Sequence, residues 1–200
     1  MTETASADRL TFRQKLGWAV GAHGTSTMIG VLVTYLLIYM TDVLGIAAGV
    51  AGAIIFSARM YDLVTDPLMG YISDRTKTRW GRRRPYLLLG SFVCFIAFVA
   101  LFNVPDIDSD TGMAFYAALL LVLFTTAYTI FNVPYLAMPA EMTDSYNERT
   151  SMMGYRVVFF TTANLGLFLG GALLLKTYGP EQGYAMMGWI LGGFLLVSML

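Results

Sequence analysis

The sequence predicts an all-α membrane protein, a bundle of six transmembrane helices, and three observations lead to this prediction. First, 56% of the 200 residues are hydrophobic, 13% are charged and the mean hydropathy is +0.62, whereas soluble domains carry roughly 25% charged residues. Second, the apolar residues form six runs that approach or exceed the ~20 residues a helix needs to cross a bilayer. Third, Lys and Arg concentrate in the connections expected on one side of the membrane.

The six predicted helices follow a polar N-terminal tail of residues 1–15. From the apolar runs we place them at about residues 16–41, 47–73, 85–104, 113–140, 152–176 and 184–200. The connection after the second helix holds six Lys and Arg residues, whereas those after the first and third hold none. By the positive-inside rule we expect a multi-pass protein of the cytoplasmic (inner) membrane, with the N-terminus and the basic connection in the cytoplasm.

The number of helices indicates half of a larger carrier. Six spans with a basic connection between the second and third suit one half of a twelve-helix transporter built from two three-helix repeats of inverted topology. Residues 198–200 still lie in an apolar run, with no polar tail after them. We therefore expect a truncated chain whose C-terminal six-helix half lies outside this sequence. A free six-helix protein is the alternative.

The second helix carries three charges within its apolar run. At about 100° per residue, Arg59, Asp62 and Asp66 fall on one face within an arc of roughly 60°. Because each charge costs about 2.5–3.5 kcal/mol at the centre of a bilayer, this face points to protein or water. Pro67 cannot donate a hydrogen bond to the carbonyl of Leu63, so a free oxygen lies beside the two carboxylates. Such oxygens suit a hard metal cation or a shared proton; a purely structural ion pair with Arg59 is the alternative.

A polar stripe on the fourth helix is the second constellation. Its residues are spaced three and four apart in an apolar span: Thr125, Tyr128, Thr129, Asn132 and Tyr135. Hydroxyl, amide and aromatic groups on one face suit a sugar, and they equally suit hydrogen bonds between helices. We expect this stripe to face the carboxylates of the second helix.

Three further features lie in the first and fifth helices. Arg156 needs an acid at its own depth, or it holds two solute oxygens in a fork. Gly166 and Gly170 have the Gly-x-x-x-Gly spacing, which favours close helix packing over a ligand role. His23 is interpreted as a structural histidine rather than a titrating one.

Other classes of function have little support in the sequence. The net charge is zero, which gives no reason to expect a nucleic-acid partner. One cysteine and one histidine offer no metal-ligand spacing, and the chain has no phosphate-binding glycine loop or nucleophile elbow. We therefore expect a transporter and not an enzyme, with a coupling ion but no cofactor. The basic connection also suits an anionic membrane lipid.

Taken together, the sequence resembles the glycoside-pentoside-hexuronide:cation symporter family of the major facilitator superfamily over its whole length. The specific segments are residues 58–70 in the second helix and 74–85 in the loop after it; the others are 21–24, 39–45, 128–135 and 147–150 with Arg156. The resemblance implies the N-terminal six-helix bundle of a twelve-helix major facilitator fold. It also implies symport of a small-molecule sugar or glycoside with Na+ or H+.

The resemblance implies roles for individual residues as well. Asp62 and Asp66 match an acidic cation-site pair, and Thr129 matches a cation-site hydroxyl. Arg156 matches an arginine of the sugar site, where we also expect four uncharged residues: Ser26, Tyr128, Asn132 and Tyr135. The loop after the second helix resembles the cytoplasmic gating motif of the superfamily, formed here by Gly70, Asp74, Arg75, Gly81, Arg82 and Arg83.

Departures from the family's melibiose permease concern the solute. Its acidic sugar ligand in the first helix, a lysine neighbour, an aspartate in the fourth helix and a stacking tryptophan are replaced here by Ser26, Thr25, Asn132 and Leu136. We therefore expect a glycoside, pentoside or hexuronide other than melibiose. Two alternatives remain open. One is a carrier for a lipid-like or drug-like solute, for which Leu136 leaves room, and the other is a non-transporting truncated half.

Overall fold

The computed structural model describes residues 9–105 and 107–200, and these ranges contain helices and no strand. Helix α1 spans Phe12–Thr34 and continues through a short turn, Leu36–Ile38, into a π-helical turn, Tyr39–Val43. Helices α2, α3 and α4 span Ala48–Arg75, Arg84–Phe102 and Asp110–Ala137, and a short helix, Pro139–Met142, follows α4. The last helical stretch is Tyr146–Met199.

That last stretch contains a sharp break. Gly179 has φ 77° and ψ 175°, a backbone conformation that glycine adopts without steric cost, and Pro180 follows it without an N–H group. Beyond the break the chain folds back on itself. The close approach of Gly183 to Leu175 shows this, since a Cβ added to Gly183 would stand 3.0 Å from the Cα of Leu175. We therefore treat residues 146–178 as α5 and residues 180–199 as α6, and the predicted all-α bundle of six helices is confirmed.

Side-chain caps fix where several helices begin. Thr11 and Gln14 form a reciprocal capping box, in which the Thr11 N–H donates to Gln14 Oε1 at 2.8 Å, so α1 begins at Phe12 rather than near residue 16. Ser109 accepts from the Gly112 N–H at the start of α4, and Ser145 accepts from the Glu148 N–H at the start of α5. Helix α5 therefore begins before the apolar run that predicted it.

Small residues let the helices approach closely. Helix α1 packs against the α5–α6 stretch, α4 packs against both α2 and α3, and α3 also packs against α6. An added Cβ on Gly171 would stand 2.6 Å from the Tyr35 hydroxyl oxygen, and one on Gly90 would stand 2.8 Å from Phe131 Cβ. Gly166 and Gly170, by contrast, have no neighbour within 4 Å of such an atom, so the predicted packing role of that pair is wrong for the contacts described within this chain.

The core lies between α1, α3, α4, α5 and α6, and it is filled by large apolar side chains that are less than 2% exposed, among them Phe98, Phe124, Met28, Met152 and Leu195. Helix α2 lies at the edge, with only four buried residues, Ala51, Ala58, Met69 and Ser73. Four described helical stretches are long and apolar enough to span a membrane: Phe12–Thr34, Arg84–Phe102, Asp110–Met142 and the broken Tyr146–Met199. Helix α2, which carries Arg59, Asp62 and Asp66, is not among them.

Candidate cation and solute site

The two carboxylates of α2 have different surroundings. Arg59 Nη1 lies 3.5 Å from Asp62 Oδ2 in an ion pair one helical turn long, and the Asp62 side chain is 16% exposed. The other oxygen of Asp62, Oδ1, is buried and has no hydrogen-bond partner in the described structure. A buried acceptor in this condition is costly unless something else satisfies it. The ion pair that the sequence left as the alternative therefore forms, but it uses only one oxygen of the Asp62 carboxylate.

Asp66 is held by α4 instead of by a basic side chain. Thr129 Oγ1 donates to Asp66 Oδ1 at 2.8 Å, and Thr129 is only 3% exposed. Tyr61 and Thr126 form a second hydrogen bond between the same two helices, with hydroxyl oxygens 3.1 Å apart. Among the described residues Asp66 makes no ion pair. Its carboxylate and the Thr129 hydroxyl are oxygen ligands of the kind that hard cations take.

Tyr128 connects the carboxylates to the arginine of α5. Its hydroxyl lies within electrostatic range of four charged side chains, those of Arg59, Asp62, Asp66 and Arg156. Tyr128 and Thr129 are adjacent on α4, whereas the four charges come from α2 and α5. The structure therefore brings the predicted cation residues and the predicted solute residue Arg156 into one cluster.

Arg156 and Asn132 each hold a buried polar atom without a hydrogen-bond partner in the described structure. The Arg156 guanidinium carbon lies 5.6 Å from the centre of the Phe160 ring, and its Nε atom is buried without an acceptor in the described structure. Asn132 lies one turn beyond Tyr128 on α4, and its Oδ1 atom is buried without a donor there. One donor and two acceptors, counting Asp62 Oδ1, thus remain for a polar ligand.

The hydroxyls of Tyr135 and Ser26 are used in hydrogen bonds between helices. The Tyr135 hydroxyl donates to the Trp18 carbonyl at 3.1 Å, the Trp18 Nε1 donates to the Tyr135 carbonyl at 3.1 Å, and the two rings stack 4.9 Å apart. The Tyr135 hydroxyl also lies beside the Arg156 guanidinium. Ser26 is 0% exposed, and its hydroxyl donates to the Phe160 carbonyl at 2.6 Å. These two predicted solute residues join α1 to α4 and α5.

The polar stripe of α4 is therefore divided between two neighbours. Thr129 reaches α2 and Tyr135 reaches α1, whereas Thr125 is 2% exposed and donates to its own helix at the Val122 carbonyl. His23 packs between the rings of Phe159 and Phe194, at 5.1 Å and 5.5 Å. Among the described residues, no group of three or more His, Cys, Asp and Glu side chains forms a metal cluster.

The loop after α2 forms an ion-pair network at the basic end of the bundle. Arg83 Nη2 lies 2.8 Å from Asp74 Oδ1, and Arg83 Nε donates to Glu141 Oε1 at 2.6 Å. Arg82 Nη2 lies 3.0 Å from the same Glu141 oxygen. Arg83 is buried, at 9% exposure, so this network fastens the end of α2, the start of α3 and the short helix after α4.

Three other residues of the predicted gating motif have local roles. Gly81 has φ 99°, which suits glycine in the tight turn before Arg83. Arg75 lies over the Tyr71 ring and donates to the Tyr71 hydroxyl. An added Cβ on Gly70 would stand 3.8 Å from Val133, an ordinary contact between α2 and α4.

Sequence analysis missed Glu141, the acid shared by Arg82 and Arg83. Its only sequence signal is position, since it is the first charge after the long apolar run of α4. Sequence analysis also missed the pair between Lys15 Nζ and Glu148 Oε2, 2.8 Å apart, which ties α1 to α5 at the same end. Both contacts join residues far apart in the chain, so spacing along one helix could not reveal them.

Comparison with known proteins assigns this sequence to a family. Residues 17–200 match the family model described as MFS/sugar transport protein. The chain is 34% identical to the uncharacterized symporter YnaJ of Bacillus subtilis over 94% of its own length and 42% of that protein. It is 37% identical to YagG of Escherichia coli, provisionally named a glycoside/cation symporter, over 83% of its own length and 35% of that protein.

A vertebrate relative is also similar. The chain is 33% identical to the sodium-dependent lysophosphatidylcholine symporter 1 of Gallus gallus, over 84% of its own length and 31% of that protein. The chain spans 30–42% of the length of the first four curated relatives that it matches. Match, helix count and coverage agree with the N-terminal half of a symporter. The chain thus belongs to the MFS/sugar transport protein family of the major facilitator superfamily, multi-pass membrane transporters rather than enzymes.

Proposed function

We propose that this chain forms the N-terminal half of a carrier that moves a glycoside, pentoside or hexuronide together with Na+ or H+ by alternating access. The observation that carries the proposal is the set of three buried polar atoms without partners in the described structure: Asp62 Oδ1, Asn132 Oδ1 and Arg156 Nε. A sugar hydroxyl both donates and accepts hydrogen bonds. A polyhydroxylated solute therefore satisfies the two acceptors and the donor at once.

The cation is assigned to the α2–α4 contact. Asp66 and Thr129 already face each other, and Pro67 leaves the Leu63 carbonyl without its usual helical donor. A Na+ ion needs several oxygen ligands, which these groups and the free oxygen of Asp62 supply; a proton needs only one carboxylate. Both ions neutralise the same negative charge, so the proposed site is the same for Na+ and for H+.

Tyr128 and the Arg59–Asp62 pair connect the two ligands. Cation binding at Asp66 changes the electric field at the Tyr128 hydroxyl. That hydroxyl also interacts electrostatically with Arg156. A coupling free energy of about 1–3 kcal/mol between two such sites is typical, and it acts in both directions. The cation then raises the affinity for the solute, and the solute raises the affinity for the cation.

The ion-pair network of Arg83 is assigned to gating. It fastens α2, α3 and the segment after α4 at the basic end, which the positive-inside rule assigns to the cytoplasm together with the N-terminus. The protein is accordingly assigned to the cytoplasmic membrane. Rocking of two six-helix halves about a central site leaves this network intact within one half, so its proposed gating role is to keep the basic end of that half rigid while the halves move.

A lipid-like solute is the second candidate function. It is favoured by Leu136, which lies one turn beyond Asn132 on α4 and is 39% exposed, and by the lysophosphatidylcholine symporter among the relatives. In that case Arg156 binds the charged headgroup and the apolar tail lies along the exposed faces of α2 and α5. The cation site is the same in both candidates.

The test uses the complete reading frame expressed in starved cells. External Na+ and pH are recorded when methyl β-D-glucoside, methyl β-D-xyloside, methyl β-D-glucuronide or lysophosphatidylcholine is added. One of the three glycosides is expected to drive a cation uptake pulse that Asp66→Asn abolishes. Asp42→Asn is the matched control, because Asp42 is exposed at the other end of α1 and bonds only its neighbour Thr41 in the described structure.

The outcomes separate the candidates. A pulse with lysophosphatidylcholine alone moves the assignment to the second candidate. A glycoside pulse that survives in Asp66→Asn contradicts the cation site. No pulse with any of the four compounds, with the protein present in the membrane, contradicts both candidate functions.

A further inference from the structure

A closed hydrogen-bond triangle joins α1 to α5 one turn beyond Arg156. Ser26 Oγ donates to the Phe160 carbonyl at 2.6 Å, and Asn164 Nδ2 donates to Ser26 Oγ at 2.6 Å and to the Phe160 carbonyl at 3.2 Å. Ser26 is 0% exposed and Asn164 is half-buried. The bonds of the triangle are partly buried and the Ser26 end is fully buried, so removal of the Ser26 hydroxyl leaves polar groups of α5 with less compensation from water than at the surface.

The triangle is connected to the solute arginine along one face of α5. Arg156, Phe160 and Asn164 are spaced four residues apart, so they stack on successive turns. The Arg156 guanidinium lies over the Phe160 ring at 5.6 Å, and the Phe160 carbonyl is the acceptor of the triangle. Arg156 therefore lies against a residue whose backbone carbonyl is bonded to α1.

The chain makes room for this arrangement at Gly30. A Cβ added there would stand 2.7 Å from Asn164 Oδ1, so any larger residue would displace the amide. On the other flank, the Tyr135 hydroxyl lies beside Arg156, and Tyr135 is itself fixed by its paired hydrogen bonds with Trp18 of α1. Helix α1 thus supports both neighbours of the guanidinium and supplies no charged group of its own at this position.

We infer that Ser26 and Asn164 are positioning residues that fix the α5 turn carrying Arg156, and that Ser26 acts through this turn rather than by binding the solute. The inference rests on the proposed function only for the role of Arg156. The Ser26 hydroxyl already donates its proton to one group and accepts from another, so it has no proton left to donate to a solute.

The test measures the position of Arg156 without any solute. The complete protein in native membranes is treated with phenylglyoxal, which modifies guanidinium groups, and the rates at Arg156 and at the buried Arg83 are followed by mass spectrometry of the peptides. Ser26→Ala and Asn164→Leu are each expected to raise the rate at Arg156 about fivefold, the factor that corresponds to one lost hydrogen bond. The modification rate at Arg83, which lies in the ion-pair network at the basic end of the bundle, should not change.

Thr27→Val is the matched control. Thr27 is 2% exposed on the same helix, but its hydroxyl donates to the His23 carbonyl within α1 and reaches no other helix. Its removal should leave both rates unchanged. An unchanged rate at Arg156 in both Ser26→Ala and Asn164→Leu overturns the inference. An equal rise at Arg83 also overturns it, because that pattern indicates general loosening of the fold.

Uptake measurements separate this inference from the proposed function. For a methyl glycoside that the wild type accumulates, Ser26→Ala should raise KM severalfold and, at saturating glycoside, leave the cation concentration for half-maximal uptake unchanged. If Arg156→Ala leaves uptake intact while Ser26→Ala still exposes Arg156 to phenylglyoxal, the solute assignment fails and the positioning role stands. If Arg156→Ala impairs uptake but Ser26→Ala changes neither the phenylglyoxal rate at Arg156 nor the KM, the positioning role is contradicted and the solute assignment stands.

Discussion

Thr129 on α4 donates a 2.8 Å hydrogen bond to the carboxylate of Asp66 on α2, and this bond is the most direct link between the two helices that carry the candidate cation site. A bound cation can take the place of the Thr129 hydroxyl proton at the Asp66 carboxylate. The hydroxyl then turns its lone pairs towards the cation. The same pair of side chains thus has a hydrogen-bonded arrangement without the ion and a ligand arrangement with it.

Replacement of Thr129 tests that relationship. Thr129→Val keeps the shape of the side chain and removes an oxygen ligand of the bound ion, so the Na+ concentration for half-maximal uptake should rise severalfold. Coupling to H+ should not weaken, because the lost hydrogen bond stabilised the ionised carboxylate. The measurement is solute uptake against Na+ concentration and pH. Thr126→Val is the control, since its hydroxyl bonds Tyr61 and not a carboxylate. Equal shifts in the two variants would contradict a specific role for Thr129.

Arg156 is expected to control solute affinity. Arg156→Ala removes a charged group whose Nε–H has no acceptor in the described structure. If the solute supplies that acceptor, its KM should rise by about tenfold to a hundredfold. The control is Arg79→Ala, in the exposed part of the basic loop. Uptake kinetics at saturating cation give the two KM values, and a loss confined to maximal rate would argue against solute binding by Arg156.

Glu141 is expected to stabilise the network at the basic end. Glu141→Gln leaves the buried Arg83 with Asp74 alone, and loss of one partner of a buried charge typically costs about 3–5 kcal/mol, less here because Asp74 remains. A lower temperature of unfolding in detergent and faster labelling of a cysteine introduced at the basic end should follow. Asp144→Asn, which removes an exposed partner of Arg149, should change neither measurement.

The glycines predict opposite effects of the same substitution. Gly90→Ala places a methyl group 2.8 Å from Phe131 Cβ and 3.0 Å from its backbone, so it should destabilise the fold by about 1–3 kcal/mol. Gly166→Ala meets nothing within 4 Å in a helix and should be neutral or stabilise by up to about 1 kcal/mol. Thermal unfolding of the two purified variants decides this, and greater damage from Gly166→Ala would reveal a contact outside this chain.

The sequence predicted the helices, and the charged residues to be expected inside them, because both depend on residue type and spacing. Apolar runs of sufficient length define the spans, and charges inside an apolar helix must gather where protein or water receives them. The bond between Asp66 and Thr129 joins two groups that the sequence had placed in one set. The Arg59–Asp62 pair was foreseeable because its members are three residues apart on one helix.

The partners across helices were not predictable in this way. Ser26 was expected among the solute ligands, yet its hydroxyl is used between α1 and α5, and Tyr135 faces Trp18 rather than α2. Gly166 and Gly170 have the spacing of a packing motif, whereas the close approaches occur at Gly30, Gly90 and Gly171. Which face of a helix meets which neighbour depends on the rotation of the helices, and a single sequence does not record that rotation.

The break at Gly179 has a mechanical consequence. Helices α5 and α6 are joined by one non-helical residue, so the connection has no spare length to absorb a relative displacement. We expect a tilt of α5 to be transmitted to the start of α6, and from there to α3, against which α6 packs at Gly188 and Gly192. Helices α3 and α6 would then move together with the α5 turn that carries Arg156.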